Sequence, residues 1–224
     1  MIEPKIIFQN EHFIVVDKPS GMLSVPGRDP MMRDAISWAR KVYGEAYETH
    51  RLDMATSGLL IIALNKMTER YFKMQFQSRQ VHKNYRAIVY GVPNPAVDEI
   101  NLPLFPDWPN RPKQKVCFEH GKPSLTRYTT LQSSEHAALL ELIPVTGRSH
   151  QLRVHLLAIG HPIVGDQLYG TARPNWAPRL LLQAYALEFI PPNSKESIRL
   201  EIPFDFELSH DGLPSLLVEN NHAI

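Results

Sequence analysis

Three short polar segments contain the side chains best suited to chemistry. They span residues 50–58, 83–86 and 147–155, and each lies beside a strongly apolar run. Side chains at the end of a rigid element can be held in place and still reach a cleft. The first segment contains Asp53, whose carboxylate could attack or stabilise an electron-poor centre. Taken alone, an aspartate before small residues is more commonly a turn or helix-cap residue.

A metal site is one alternative, because His150, His155 and His161 are followed by Asp166. The spacing argues against it, since His150 and His155 are five residues apart and point in different directions on a helix, unlike the i, i+4 pair of metalloproteases. We therefore expect no metal and no cofactor. A serine hydrolase built on Ser57 is also disfavoured, because no G-x-S-x-G elbow surrounds that serine.

The overall charge is nearly balanced, with 24 Lys and Arg residues, 23 Asp and Glu residues and a formal net charge of +1. A protein that binds nucleic acid through its overall field usually carries a large basic excess. Such binding would therefore depend on local basic patches. The candidates are Lys83 with Arg86, Arg148 with Arg153, and the segment Arg111–Lys115. Short charge runs are more often solvated surface.

Composition limits the class of protein. A chain of 224 residues with 43% hydrophobic and 21% charged residues can bury a real core as one domain. The single cysteine, Cys117, excludes an intramolecular disulfide and favours a reducing cytosol. The N-terminus has no secretory pattern, and no apolar run approaches the roughly 20 residues of a membrane helix. We expect a soluble, cytoplasmic monomer without membrane contact.

Strands and helices alternate in the predicted first half of the chain. The hydrophobic pattern predicts strands over 6–8 and 12–16, a helix over 32–43, a strand over 59–64, a helix over 68–77 and a strand over 85–90. The apolar run Leu59–Leu64 has the length of a buried central strand. Asp53 would thus lie just before a rigid core element.

The stretch between Pro93 and Pro123 interrupts this pattern. It contains seven prolines, at positions 93, 95, 103, 106, 109, 112 and 123. Proline lacks a backbone N–H and interrupts helices and central strands, so we expect an irregular, surface-exposed excursion. Long loops of this kind in compact domains tend to be functional or disordered.

Regular structure is expected to resume after the excursion, with residues 126–131 and 138–143 as neighbouring antiparallel strands. A helix follows, with Ser149 as its N-cap and with His150 and Arg153 together on one face. Its predicted buried stripe consists of Leu152, Leu156 and Ile159. Strands near 180–190 and 198–202 complete an α+β domain with a mixed, largely antiparallel sheet flanked by helices and loops.

The segment 50–58 reads HRLDMATSG and resembles the H-R-L-D-x-x-T-S-G signature of the RluA-type pseudouridine synthases. This family isomerises uridine to pseudouridine in RNA. Further family-like motifs occur in the expected order between about residues 10 and 205, at Asp17–Gly21, Lys83–Tyr85, Gly147–His155, His161–Asp166 and Tyr169–Gly170. One departure is Gln183, where the family commonly has histidine, which indicates a structural rather than a catalytic position.

The segment 107–117 reads DWPNRPKQKVC and resembles the subgroup that acts on both 23S ribosomal RNA and the tRNA anticodon stem-loop. The resemblance implies a single catalytic domain over 1–207, a flexible tail over 208–224 and no separate N-terminal RNA-binding domain. RNA would be the partner. The competing hypothesis is a non-catalytic RNA-binding or RNA-chaperone module that keeps the fold without the reaction.

The resemblance also implies the catalytic residues. Asp53 would be the nucleophile, attacking either C1′ of the ribose or C6 of the base, and the residues do not decide between these. A base inside folded RNA must first be extruded, at a cost of a few kcal/mol. Arg51 would fill the vacated space, Tyr85 would stack on the uracil and assist removal of the C5 proton, and Arg153 would pair with Asp53 and keep it ionised.

The remaining site residues would contact RNA, mainly through phosphates that fix register without reading sequence. They are His50, Lys83, Arg111, Lys113, Lys115, Arg148 and His150. Without the resemblance, two of the catalytic assignments would have ordinary explanations. Tyr85 could be a half-buried strand tyrosine, and Arg153 could be a surface residue of a helix.

Overall fold

The computed structural model describes residues 3–170, 176–209 and 212–217. Within these ranges the helices are α1 (Ala35–Tyr43), α2 (Lys66–Gln77) and α3 (Gln151–Ala158), and Trp108–Asn110 form a 3-10 turn. The strands are β1 (Lys5–Gln9), β2 (Phe13–Lys18), β3 (Tyr47–Glu48), β4 (Ser57–Ala63), β5 (His82–Tyr90), β6 (Val97–Asn101), β7 (Leu104–Pro106), β8 (Gln114–Val116), β9 (Leu125–Ser133), β10 (Ala137–Pro144), β11 (Leu182–Phe189), β12 (Ile198–Glu201), β13 (Phe206–Leu208) and β14 (Pro214–Leu216). The predicted α+β class is confirmed.

The chain forms two compact units. The first unit contains the residues up to Lys83 together with Ala184–Ile202, and the second contains Asn84–Gln183 and the residues from Pro203 onward. The chain passes from one unit to the other three times, within strand β5, within strand β11 and between Ile202 and Pro203. Of the predicted site residues, His50, Arg51, Asp53 and Lys83 belong to the first unit, and the others to the second.

In the first unit the strand order is β1, β2, β4 and β11, with β3 also paired to β4 and β12 to β11. Strands β2 and β4 are antiparallel, from Phe13 opposite Ala63 to Lys18 opposite Gly58. Every residue of β4 is buried, as its apolar run predicts. The segment that contains Asp53 therefore leads directly into the core of this unit.

Helix α2 packs its apolar face into the same core. Asn65 caps the helix, its side chain accepting a hydrogen bond from the Thr68 amide at 2.9 Å. The rings of Phe13, Phe72 and Phe189 meet edge to face, with centroids 5.1, 5.5 and 5.7 Å apart. Edge contacts of this kind add to the stabilisation that comes from burying the rings. Helix α2, which follows β4 in the chain, is thus held in place by these core contacts.

In the second unit the strand order is β5, β10, β9 and β6, and all three pairings are antiparallel. The predicted pairing of residues 126–131 with 138–143 is confirmed by strands β9 and β10, in which Tyr128 lies opposite Leu142. Helix α3 lies against β8, β9 and β10.

The proline-rich stretch contains more regular structure than predicted. Strand β6 pairs with β9, and β7 pairs with β8 on either side of the 3-10 turn. The expectation of a wholly irregular excursion was therefore wrong. The prolines are accommodated because Pro106 ends β7 and the other prolines lie outside β6 and β8, so these short strands lose few hydrogen bonds.

The start of helix α3 also differs from the prediction. The helix begins at Gln151, and the preceding residue, His150, has a left-handed backbone with φ of 55° and no side-chain cap. Ser149 is therefore not the N-cap. Instead, the Gln151 side-chain oxygen accepts hydrogen bonds from the Arg148 amide at 3.0 Å and the Thr146 hydroxyl at 2.7 Å. A side chain from inside the helix thus stabilises its entry turn.

Helix α3 is buried on more sides than a single stripe. Residues Gln151–Leu156 are all buried, whereas Ile159 is only half-buried. The prediction that the buried surface consists of Leu152, Leu156 and Ile159 was therefore only partly correct. The reason is that three strands pack around this helix, so its polar residues also lie inside the protein.

Beyond residue 207 the chain continues into the hairpin of β13 and β14, in which Phe206 lies opposite Leu216. Part of the expected tail, residues 210–211 and 218–224, lies outside the described residues. None of the helices in the described part of the chain is long and apolar enough to cross a membrane.

Candidate active site

Asp53 lies in a tight turn that leads into β4. Its backbone oxygen accepts a hydrogen bond from the Thr56 amide at 3.1 Å. The Asp53 residue is half-buried, its neighbour Arg51 is exposed, and Leu52 and Thr56 are buried. The turn is therefore anchored on both sides of the carboxylate, and the arginine two positions earlier extends toward solvent.

The glycine of the same signature has a specific steric role. Gly58 has a φ of +114°, a backbone conformation that residues with a Cβ rarely adopt. A Cβ at this position would come within 2.7 Å of the backbone nitrogen and carbonyl carbon of Ala184 in β11. Only glycine permits this close approach of the two strands just after the Asp53 turn.

Lys18, at the end of β2, holds the Asp53 turn through hydrogen bonds to backbone oxygens. Its side chain is fully buried, and its ammonium group donates hydrogen bonds to the backbone oxygens of Met22 at 2.8 Å, Pro19 at 3.0 Å and Met54 at 3.3 Å. Three donors are all that an ammonium group has. Lys18 therefore satisfies three carbonyls, one of which belongs to the residue next to Asp53.

Two serines of the same loop add further contacts to the turn. The Ser20 hydroxyl donates to the backbone oxygen of Ala55 at 2.7 Å. The Ser24 hydroxyl donates to the Leu52 oxygen at 2.8 Å and accepts from the Leu52 amide at 2.9 Å. Residues 18–24 thus form a cradle for residues 52–55. Their family-like motif was recognised in the sequence, but it carried no information about this contact.

Lys18 also interacts electrostatically with Asp53. Burial lowers the pKa of Lys18 to about 7, and the nearby carboxylates of Asp53 and Asp17 oppose this shift. A lysine placed within the field of the candidate nucleophile was not among the predicted site residues. Its position could not be inferred from the sequence, where Lys18 simply ends an apolar strand and lies 35 residues from Asp53.

The His50 side chain contacts other parts of the protein, namely the backbone of β4 and an aromatic ring of helix α2. Its Nε2 accepts a hydrogen bond from the Ile61 amide at 3.0 Å, and its ring lies 4.4 Å from the ring of Phe76. Burial lowers the pKa of His50 to about 3, and the positive charge of Lys83 contributes in the same direction. His50 is therefore neutral near pH 7. Its predicted contact with RNA stays a prediction.

Lys83 lies beside the same aromatic ring. Its ammonium group is 6.0 Å from the Phe76 ring centroid, and burial lowers its pKa. The structure thus brings His50 and Lys83 together around Phe76. Tyr85, two residues further along β5, belongs to the second unit, where it is buried opposite Leu142 of β10.

Arg153 is buried in the second unit and forms an ion pair with Asp166. Its Nε and Nη2 donate to the two carboxylate oxygens, each at 2.7 Å, and the side chains are 4% and 1% exposed. The same carboxylate accepts the amides of Leu168 at 2.9 Å and Tyr169 at 3.1 Å. In the sequence, Asp166 stood out only as a possible metal ligand and as the end of a family-like motif, and neither observation predicted this ion pair. The predicted pairing of Arg153 with Asp53 stays a prediction.

The remaining predicted cations of the second unit lie in two segments. Arg148 is exposed before helix α3. Around the 3-10 turn, the exposed Arg111 stacks on Trp108 with its guanidinium carbon 3.5 Å from the ring centroid. Lys113 is half-buried, and the exposed Lys115 lies 3.6 Å from the Asp107 carboxylate.

In the described part of the chain, no group of three or more His, Cys, Asp or Glu side chains is arranged to hold a metal ion. Gln183 is buried, and its amide nitrogen donates to the Pro203 oxygen at 3.1 Å. This contact ties β11 to the segment before β13, in keeping with a structural position.

Comparison with known proteins identifies a family. A family model described as RNA pseudouridylate synthase matches residues 12–158. This range includes the cradle, the Asp53 turn, strand β5 and helix α3. The match therefore covers more than half of the chain.

Curated relatives are similar over nearly the whole chain. A protein of Salmonella typhi named "Dual-specificity RNA pseudouridine synthase RluA" is 50% identical over 204 residues, covering 90% of this chain and 93% of the relative. Its namesake from Vibrio cholerae is also 50% identical, covering 90% and 83%. Among solved structures, human RNA pseudouridylate synthase domain containing 1 has 28% identity and a TM-score of 0.78, covering 98% of this chain and 91% of the other.

Proposed function

The chain belongs to the RNA pseudouridylate synthase family, and we propose that it converts uridines in both 23S ribosomal RNA and the tRNA anticodon stem-loop. The family makes it an RNA-modifying isomerase, which disfavours the non-catalytic module. The double substrate is supported by the dual-specificity name of relatives that are 50% identical and by the segment 107–117.

The observation that carries the proposed mechanism is the fixed backbone of the turn that bears Asp53. Asp53 is half-buried on a turn whose neighbouring backbone carbonyls are bound by Lys18 and two serines. A nucleophile in a fixed position needs little reorganisation to reach the reacting atom. Attack at C1′ and attack at C6 both remain open. Either route detaches the uracil, rotates it, rejoins it through C5 and then releases the C5 proton.

Three other side chains complete the proposed catalytic machinery. Arg51 fills the space of the extruded uridine, and its exposure next to the Asp53 turn supports this role. Tyr85 stacks on the uracil and assists loss of the C5 proton. Arg153 orients Asp53 and keeps it ionised, in addition to its pairing with Asp166.

RNA is held by cations and by two histidines in the proposed complex. The residues are His50, Lys83, Arg111, Lys113, Lys115, Arg148 and His150. We further propose that residues 1–207 form the catalytic domain, with residues 208–224 as a flexible tail, and that the enzyme works in the cytoplasm as a monomer. Phosphate contacts at these cations would position the RNA, since they carry no sequence information.

The decisive test is release of tritium from C5-labelled uridine by the wild-type protein and by Asp53→Asn. The substrates are a tRNA anticodon stem-loop and a fragment of 23S ribosomal RNA, and Asp98→Asn, at an exposed strand position, is the matched control. We expect release from both RNAs by the wild type and the control, and none by Asp53→Asn.

Each other result has a defined meaning. Full activity of Asp53→Asn would remove Asp53 as the nucleophile. Release from only one of the two RNAs would end the proposal of a double substrate. A wild-type protein that binds both RNAs and releases tritium from neither would favour the non-catalytic module.

A further inference from the structure

The hydroxyl of Tyr169 joins two segments that are far apart in the sequence. It accepts a hydrogen bond from the Gln114 amide at 2.8 Å, and it lies 2.7 Å from Nδ1 of His150. Gln114 begins strand β8 and stands between Lys113 and Lys115. His150 immediately precedes helix α3. One oxygen atom therefore connects the proposed RNA-binding segment with the entry to the helix of Arg153.

The rest of Tyr169 is attached to the buried ion pair. Its amide donates to Asp166 at 3.1 Å, and its ring centroid lies 5.0 Å from the guanidinium carbon of Arg153. A cation at this distance from an aromatic face is attracted by the ring. The backbone and ring of Tyr169 are thus held by Arg153 and Asp166, while its hydroxyl reaches Gln114.

The backbone of His150 indicates that this arrangement is imposed by its surroundings. His150 has a φ of 55°, in the left-handed region that non-glycine residues adopt only at a cost in backbone free energy. Such a conformation persists only where neighbouring contacts hold it. Its 2.7 Å approach to the Tyr169 hydroxyl is one of those contacts.

We propose that Tyr169 is a positioning residue that sets Lys113 and Lys115 in a fixed register with Arg153 and thereby determines how tightly RNA is held. The inference rests on the proposed function, because it assumes that these lysines meet RNA phosphates. A hydrogen bond to the amide between the two lysines limits the movement of the backbone from which both side chains extend. Misplacement of a binding group by about 1 Å can reduce catalytic efficiency strongly.

The hydroxyl and the ring of Tyr169 have separable roles. Tyr169→Phe removes the hydroxyl that links Gln114 and His150 and keeps the ring, whereas Tyr169→Leu also removes the ring beside Arg153. We expect Tyr169→Phe to raise KM by about 5- to 10-fold, the effect of one lost hydrogen bond, with kcat within about twofold. Tyr169→Leu should lower kcat as well, by about tenfold or more.

The matched control is Tyr128→Phe. The Tyr128 hydroxyl is likewise bonded to a backbone atom of the second unit, donating to the Pro95 oxygen at 3.0 Å, but Tyr128 lies in β9 of the large sheet, whereas Lys115 lies in β8 of the separate β7–β8 sheet. We expect this variant to lose stability like Tyr169→Phe while KM for RNA stays unchanged. A general structural weakening would raise KM in both variants.

A double-mutant cycle tests whether Tyr169 acts through the lysines. Tyr169→Phe is combined with Lys113→Ala and Lys115→Ala, and KM is measured by tritium release on both RNAs. The effect of Tyr169→Phe should largely disappear when the lysines are absent, because the hydroxyl then has no cations to position. An unchanged KM for Tyr169→Phe, or an equal effect with and without the lysines, would overturn the inference. Failure of the wild type on both RNAs would instead overturn the proposed function.

Discussion

Arg153 and Asp166 form a buried ion pair with two parallel hydrogen bonds of 2.7 Å. Both side chains are almost completely removed from solvent, at 4% and 1% exposure. The same carboxylate also accepts two backbone amides of the following turn. Asp166 therefore neutralises the arginine and shapes the turn that carries Tyr169.

Asp166→Ala should lower the free energy of unfolding by about 3–5 kcal/mol, because it leaves a buried guanidinium without its countercharge. Urea denaturation measures this change. The control is Glu99→Ala, which breaks the exposed Arg127–Glu99 pair and should cost about 0–1 kcal/mol. A loss as small as that of the control would show that solvent or another carboxylate compensates Arg153.

Lys18→Met should reduce turnover far more than RNA affinity. Met has a similar length, but it leaves the oxygens of Pro19, Met22 and Met54 without their donor and removes a positive charge near Asp53. An unsatisfied buried group costs about 1–3 kcal/mol, which corresponds to a loss of turnover of about 5- to 150-fold if the whole cost raises the barrier of the reaction. Single-turnover tritium release and filter binding separate the two quantities.

The control for Lys18→Met is Lys41→Met, at an exposed position near the end of helix α1. This variant should retain the turnover of the wild type. If Lys18→Met also kept full turnover, the cradle would support stability without positioning Asp53.

Gly58→Ala should destabilise the first unit by overlap rather than by backbone strain alone. The added Cβ would come within 2.7 Å of backbone atoms of Ala184, which cannot move without shifting β11. Gly44→Ala is the control, because Gly44 has a φ of +82° with no atom within 4 Å of an added Cβ. We expect about 1 kcal/mol for the control and several kcal/mol for Gly58→Ala in thermal or urea unfolding. An equal loss of unfolding free energy in both variants would show that β11 moves aside for the added Cβ at little cost.

His50→Gln should make the free energy of unfolding depend less steeply on pH below about 6.5. The pKa of His50 in the folded protein is about 3, below its ordinary value of 6.5, so the unfolded chain binds more protons between these pH values. Stability therefore falls as the pH decreases from 6.5 toward 3, by up to about 1.4 kcal/mol per pH unit from this group. Glutamine offers an oxygen to the Ile61 amide without titrating. The free energy of unfolding is measured by urea denaturation at several pH values. If it depended on pH equally in the wild type and in His50→Gln, the lowered pKa of His50 would be contradicted.

Local patterns predicted the elements around the site well. The six-residue apolar run after Gly58 predicted the buried strand β4, and two strand-like runs joined by a polar connection predicted the paired strands β9 and β10. These features depend on neighbours within a few residues, which is the range over which periodicity is informative. The position of Asp53 just before a buried strand follows from the same local information.

The contacts that hold the site were not predictable, because they join residues distant in the sequence. The hydrogen bond between Lys18 and Met54 spans 36 residues, and that between Gln114 and Tyr169 spans 55. The N-cap prediction for Ser149 failed for a related reason. The Gln151 side chain satisfies the entry turn from within the helix, and it also donates to the Leu125 oxygen in β9.

Neutralising Lys113 and Lys115 together should weaken RNA binding and reduce its salt dependence. Each phosphate contact releases condensed counterions, so the slope of log K against log salt should fall by about one unit per lost contact. Filter binding from low to moderate salt measures both effects. The folded state should tolerate the change, because Lys115 is exposed and its 3.6 Å contact with Asp107 is a weak surface pair.

The control for this pair replaces two exposed lysines elsewhere, Lys41→Ala with Lys195→Ala, and so keeps the net charge equal in both variants. Because binding depends on local contacts when the net charge is only +1, the control should keep the wild-type slope. A slope reduced equally in both variants would mean that RNA responds to overall charge. An unchanged slope in Lys113→Ala with Lys115→Ala would show that these lysines do not contact RNA. Tyr169 could then not act by positioning them.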